Sequence, residues 1–228
     1  MAFAVRLRSA VSLLGRFPAL AGVDLDVAAG EIVLVQGANG AGKTTLLRAC
    51  AGLAAFTAGE AEVLGHDLRK DRKAVRRRIG LLGHATFLYD DLTVADNLQF
   101  SARAAGADPG SAADAMARLG LDGRLRDVAA GRLSAGQRRR VAVAAVVARH
   151  PDLWLLDEPH AGLDAGGRDI LDHLVRDAAA AGATVLLASH ELDRAAALAT
   201  RTVVMAGGQV TNGLLTPPAA AKEPVHVA

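Results

Sequence analysis

Cysteine is nearly absent from this chain of 228 residues, which has only Cys50. That excludes an internal disulfide and fits a reducing compartment. Cys50 falls in an apolar helical stretch and reads as a buried, inert thiol. Lysine is also scarce: of 26 basic residues only Lys43, Lys70, Lys73 and Lys222 are lysine, so arginine is the default cation. No charge of one sign dominates, and a net charge of +2 is too small to argue for nucleic acid as a partner. The densest basic stretch, residues 69–78, lacks interleaved aromatics and is interrupted by Asp71, so a solvated helix face is expected there.

Long apolar runs are missing as well. The densest, Val141 to Ala148, is bounded by Arg138, Arg139 and Arg140 on one side and by Arg149 and His150 on the other. It is far too short to span a bilayer and should be a buried helix. Arg6 and Arg8 before an apolar stretch imitate a secretory leader, but Arg16 interrupts it and a strand pattern follows. A soluble, cytoplasmic protein is expected.

What is present centres on Gly37, Ala38, Asn39, Gly40, Ala41, Gly42, Lys43, Thr44 and Thr45. Their spacing is that of a phosphate-binding loop, Gly, four residues, then Gly-Lys-Thr. Ile32 to Val35 reads as a short buried strand before it, and Leu46 to Ala51 as a helix after it. This context is the one the chemistry needs, because glycines let backbone N–H groups close round a phosphate at the positive end of a helix dipole. Lys43 is placed to reach the terminal phosphates and the Thr44 hydroxyl to ligate magnesium. In a chain that otherwise uses arginine, a lysine here is a compact point charge where a planar guanidinium would not fit.

Residues 3–36 alternate in short apolar and polar runs, with turns expected at Gly15-Arg16, Ala21-Gly22 and Ala28 to Gly30, which suggests a small antiparallel sheet. Short strands are expected at Ala61 to Gly65 and Ile79 to Leu82. From Leu92 to about Gln137 the pattern is helical, with Thr93 and Asp96 as a capping pair. Leu133, Ser134, Ala135, Gly136 and Gln137 then open a long helix from Arg138 to Arg149, with Ser134 as its cap.

Leu153 to Leu156 is an apolar strand ending in Asp157 and Glu158. An acid at such a strand end, downstream of a phosphate loop, lies at the sheet edge beside the nucleotide. Asp157 is expected to hold the magnesium and Glu158 to act as general base on the attacking water. Ala161 to Asp164 reads as a turn, and Asp172 to Ala181 as a helix. The strand Thr184 to Ala188 brings His190 to the same sheet edge. Thr202 to Met205 and Gly208 to Val210 form a closing hairpin, and the Pro- and Ala-rich end reads as loose.

Together these residues resemble the ATP-binding cassette (ABC) ATPases over roughly residues 3–213, with the family's motifs in order. Residues 37–45 are similar to Walker A, 133–137 to the signature sequence, and 153–158 to Walker B with its catalytic glutamate. Residues 161–164 match the D-loop and His190 the switch histidine. The resemblance implies an α/β P-loop NTPase core with a small antiparallel β subdomain and an inserted helical subdomain. It implies one domain over 1–213, with its core at about 1–83 and 150–213, the helical part at about 84–149, and a loose tail over 214–228. It also implies a MgATP-hydrolysing head-to-tail dimer, in which Ser134, Ala135, Gly136 and Gln137 of one copy close over ATP on the other, with Asp164 in the D-loop. Integral membrane permease subunits would be the further partners, with the cassette on the inner face of the cell membrane.

Three positions depart from the family pattern. His84 stands where the Q-loop glutamine is usual, Ala135 replaces a glycine, and the adenine-stacking aromatic falls near Leu14, leaving Phe17 as its substitute. His84 and Ala135 are most similar to the ATP-binding subunits of haem exporters of cytochrome c maturation. ATPases of other ABC-2-type exporters, for drugs or lipids, are the alternative. ABC proteins acting on ribosomes or DNA fit less well, since this chain has a single Walker A, a single signature and no sustained heptads. A regulator without hydrolysis is disfavoured by Glu158 and His190.

Overall fold

The structure is a computed structural model that describes residues 2–214; from residue 215 on, the expected loose tail lies outside the described residues. Two sheets form. The first is antiparallel and contains β1 (Phe3–Leu14), β2 (Phe17–Ala28), β4 (Ala58–Val63) and β5 (His66–Asp67), in the order β2-β1-β4-β5. The second contains β3 (Ile32–Gln36), β6 (Ile79–Leu82), β7 (Leu153–Asp157), β8 (Thr184–Ala188), β9 (Arg201–Ala206) and β10 (Gln209–Thr211), in the order β10-β9-β3-β8-β7-β6. Its strands pair in parallel except at the β9–β10 edge.

The parallel strands read as unbroken apolar runs because both faces of the sheet are covered. Period-two alternation then sorts each strand. Val33, Val35, Leu153, Leu155, Leu186 and Ala188 join a core with α1 (Lys43–Cys50) and the antiparallel sheet. Ile32, Leu34, Trp154, Leu156, Val185 and Leu187 face the other way. There they meet α4 (Ala135–Val147) and α5 (Ala165–Ala180), and through them α2 (Val94–Ala105) and α3 (Ser111–Arg118). Each fully buried Leu or Val contributes roughly 1.5–3 kcal/mol relative to exposure, so neither layer is dispensable. The last helix, α6 (Leu192–Leu198), packs against β3 and α5.

Three local expectations need correction. Ala21-Gly22 is not a turn: β2 runs through it, and the register shifts between Ala10↔Val23 and Val11↔Ala21. Gly22, at φ 90, takes up the extra residue as a bulge, which a glycine absorbs without ending the strand. Residues 69–78 form turns and no helix. The Asp67 and Asp71 carboxylates accept from the backbone N–H groups of Arg69 and Lys73, local bonds that compete with a helical ladder. Finally, α5 starts at Ala165 rather than Asp172, because Asp164 caps it by accepting from Gly167 N at 2.8 Å. Gly166 and Gly167 hid that first turn from the sequence pattern.

The strand expected at Ala61 to Gly65 runs instead from Ala58 to Val63, while three further expectations hold. Thr93 caps α2, accepting from Asp96 N at 3.1 Å. The hairpin β9–β10 closes the sheet. The strand before the phosphate loop, β3, lies between β9 and β8, with β7 next beyond β8. That order brings the ends of β3, β7 and β8 to one edge.

Candidate active site

A cleft of about 370 Å³ opens at this edge, lined by residues 39–45, by His84, Asp157, Glu158 and His190, and by Leu14 and Ala19. Its floor is the loop between β3 and α1. Gly37, at φ 153, passes so close to β9 that a Cβ would collide with the Met205 carbonyl. Gly42, at φ 105, would place a Cβ 2.5 Å from the Ala19 carbonyl oxygen. Gly42 is also the N-cap of α1, and no side chain bonds to that helix start. The first-turn N–H groups of α1 therefore face the cleft with the helix dipole behind them.

Lys43 is 8 % exposed, and its ammonium donates to the carbonyls of Gly37 at 2.6 Å and Ala38 at 3.1 Å. Two of its three donors are thus held by the loop. Thr44 Oγ1 donates to Asp157 Oδ2 at 2.7 Å, joining the helix start to the end of β7. The next residue, Glu158, sits in the left-handed region at φ 48. Its N–H donates to the Ala188 carbonyl at 2.8 Å. Its carboxylate accepts from His190 N at 3.0 Å, and His190 Nε2 lies 3.5 Å from Glu158 Oε1. The β8 end therefore holds Glu158 through both backbone and side chain.

Ser134, Ala135, Gly136 and Gln137 do not border this cleft. They form the start of α4, where Ser134 Oγ accepts from Gln137 N at 3.3 Å and Gln137 Oε1 accepts from Ser134 N at 2.9 Å, a complete capping box. Gly136 packs against the D-loop segment, where a Cβ would stand 3.2 Å from the Gly162 carbonyl oxygen. Asp164 pairs with Arg140 at 3.1 Å. The Gly167 N–H and then the Arg140 charge hold its carboxyl below the usual range. Behind the same segment, His160 is buried with Nε2 2.7 Å from Asp172 Oδ1, and Arg194 donates to the other Asp172 oxygen.

Phe17 is 79 % exposed, opposite Leu14 at the tip of the β1–β2 hairpin, and does not line the cleft; Leu14 does. Two residues escaped the sequence reading: Ala19, which lines the cleft, and Arg139, beside it. Arg139, 6 % exposed, donates to the carbonyls of Gly83 at 2.6 Å, Asp157 at 3.3 Å and Glu158 at 2.5 Å. Burial pulls its guanidinium below the usual arginine range, and the charges of Asp157 and Glu158 oppose that shift. The signal was helical spacing: Arg139 shares a face with the buried Val143 and Val146, so it points inward, unlike a solvated boundary residue.

An ammonium within a glycine loop, a hydroxyl–carboxylate pair and a carboxylate beside an imidazole can grip a polyphosphate and activate a water against it. The comparisons agree with this chemistry. The ABC transporter family matches residues 20–161. The cytochrome c biogenesis ATP-binding export protein CcmA of Aromatoleum aromaticum is 42 % identical over 173 residues, covering 75 % of this chain and 80 % of that protein. The daunorubicin/doxorubicin resistance ATP-binding protein DrrA of Streptomyces peucetius is 40 % identical over 196 residues, covering 84 % of this chain and 59 % of that protein. A dimeric ATP-binding cassette in a post-hydrolysis state bound to ADP and Pi superposes with a TM-score of 0.81 at 25 % identity, covering 90 % of this chain and 96 % of that one. With a phosphate loop, an acidic strand end and a histidine converging on one cleft, and with relatives of this identity and coverage, the chain belongs to the ATP-hydrolysing subunits of ABC transporters, of the CcmA type.

Proposed function

We propose that this ATPase drives an exporter of cytochrome c biogenesis, with haem as the transported molecule, by ATP-dependent closure of two cassettes beneath a membrane permease. The observation that carries the catalytic part is the convergence of Lys43, Thr44, Asp157, Glu158 and His190 on one cleft. The α1 start and Lys43 bind the β- and γ-phosphates. Glu158 takes the proton of the attacking water, and His190, bonded to it through its backbone N–H, keeps it aimed. His84 lines the same cleft and takes the Q-loop position.

A magnesium ion fits this donor set. Thr44 and Asp157 offer hard oxygen ligands 2.7 Å apart, and the described residues hold no cluster of three His, Cys, Asp or Glu that would cage a metal by itself. That suits an ion that takes most of its ligands from phosphates and water. When bound, it would neutralise charge on the β- and γ-phosphates.

In this reading one catalytic domain spans 1–213, with its helical part at about 84–149. Exposed Ser134 and Ala135, outside their own cleft, are placed to close on ATP held by a second copy. No helix among the described residues is long and apolar enough to cross a membrane. In the reading proposed, the working position is peripheral, on the cytoplasmic face of the membrane, held by permease subunits.

Glu158→Gln tests the catalytic assignment. The amide keeps shape and loses basicity, so turnover should fall by about 10²–10⁴ with ATP still bound, and light scattering should show a dimer in ATP and a monomer without it. Parental turnover, or a monomer in both conditions, would sink the composite site. For the exported molecule, the identity to CcmA together with His84 and Ala135 favours cytochrome c biogenesis; the DrrA match over 84 % of the chain favours drug efflux. Deleting the gene in its host and staining membranes for covalent haem separates the two. Loss of c-type cytochromes supports the first, and drug sensitivity with normal staining supports the second.

A further inference from the structure

We propose that Arg139 is a positioning residue for ATP hydrolysis: its guanidinium sets the backbone that carries Asp157 and Glu158 and ties it to the residue preceding His84. The proposal rests on Glu158 being the general base. It begins where the sheet ends. Strands β6 and β7 pair in parallel up to Leu82↔Leu156, and beyond that pair the ladder stops. Gly83 and Asp157 are the next residues on each strand, and their carbonyls, with that of Glu158, point to the same guanidinium. One N–H arm bonds Gly83 and the other bonds Asp157 and Glu158, so a side chain bridges two strand ends that the backbone no longer joins.

The need for such a bridge lies at Glu158. A non-glycine residue at φ 48 is strained and persists only where its surroundings over-determine it. Four groups do so: the Ala188 carbonyl on its N–H, His190 N on its carboxylate, and Arg139 together with Ala161 N on its carbonyl. Arg139 supplies the only side-chain hydrogen bond of the four. Its own burial is incomplete as a structural device, since Nε is buried without a partner. A buried cation with an unmet donor is a poor stabiliser, and apolar replacement of such groups is often neutral for folding. Its use is therefore in placing the base, where a displacement of order 1 Å costs about 10²-fold in rate. Lysine cannot replace it, because an ammonium lacks the planar fork that reaches both strand ends.

The test compares the full-length protein with Arg139→Lys, which keeps the charge, and Arg139→Met, which keeps much of the volume. Glu158→Gln runs in parallel. The expected result is a fall in kcat of about tenfold or more in both Arg139 variants, with KM for ATP, the Kd of a fluorescent ATP analogue and the thermal midpoint close to the parental values. Parental kcat in both variants would overturn the proposal. So would parental kcat in Arg139→Lys alone, since charge and not the fork would then suffice. Loss of ATP affinity and thermal stability in step with kcat would reduce Arg139 to a structural residue. Parental turnover by Glu158→Gln would instead remove the general base itself, a failure distinct from any result at Arg139.

Discussion

Two helices in this molecule begin at loops for which we propose a role in phosphate binding, and they begin in opposite ways. The first, α1, starts at Gly42 with no side chain on its N–H groups and with Lys43 folded into the loop. The second, α4, starts at Ser134 with a complete capping box, its donors met by Ser134 and Gln137. An open helix start is an anion site in waiting, because its orphan N–H groups have no better partner. A capped start is self-sufficient, and it can serve a phosphate only by adding its exposed face to a site made elsewhere. The difference is the one expected if, as proposed, the first binds phosphate alone and the second only in company.

The comparison breaks most severely at Lys43. Lys43→Ala removes the one cation within the loop, and losing a charge-assisted contact of about 1.5–3 kcal/mol should weaken ATP binding roughly tenfold to a hundredfold and abolish measurable turnover. Titration with a fluorescent ATP analogue and a phosphate-release assay read both; parental values would show that the open helix start does not need the cation. A smaller, different effect is expected at the capped start. Ser134→Ala should lower stability by about 1 kcal/mol, seen in the denaturant midpoint. It should also reduce turnover while leaving ATP affinity of the isolated chain unchanged. A loss of affinity in the monomer would contradict action on a partner's nucleotide.

The smallest effect sharpens the contrast from the far end of α1. Cys50 is fully buried, and burial pushes its thiol from 9.0 up to about 12. It should stay unmodified by a thiol reagent at neutral pH until the protein is unfolded, since the thiolate is the reactive form. Because the folded pKa lies above the unfolded one, its contribution to stability is complete below about pH 9.0 and is lost as pH rises toward 12. Rapid labelling of native protein at pH 7 would mean that the C-terminal end of α1 opens readily.

Much of the site was legible in the residues. The glycines of the loop, Lys43, Thr44, Asp157, Glu158 and His190 each follow an apolar strand, and strand ends in a parallel sheet meet at one edge. Less legible were features that depend on local competition. Turns replaced the expected helix at residues 69–78 because Asp67 and Asp71 offered nearer partners to the backbone. Helix α5 began a turn and more earlier than its apolar pattern suggested, because a cap at Asp164 outweighs two glycines.

By itself, then, the sequence determined the layer structure and the chemistry of the cleft, since both follow from short-range order: alternation along strands, glycines at a turn, acids at a strand end. Only the tertiary structure decided which groups aim Glu158 and which residue borders the nucleotide cleft at the hairpin tip. Arg139 lies 18 and 19 residues from the two β7-end carbonyls it holds and 56 from Gly83. Leu14 rather than Phe17 lines the cleft, although the hairpin register pairs the two at its tip. No periodicity encodes either contact. Each arises from where packed layers happen to bring chain ends together, and packing is decided by the whole core at once.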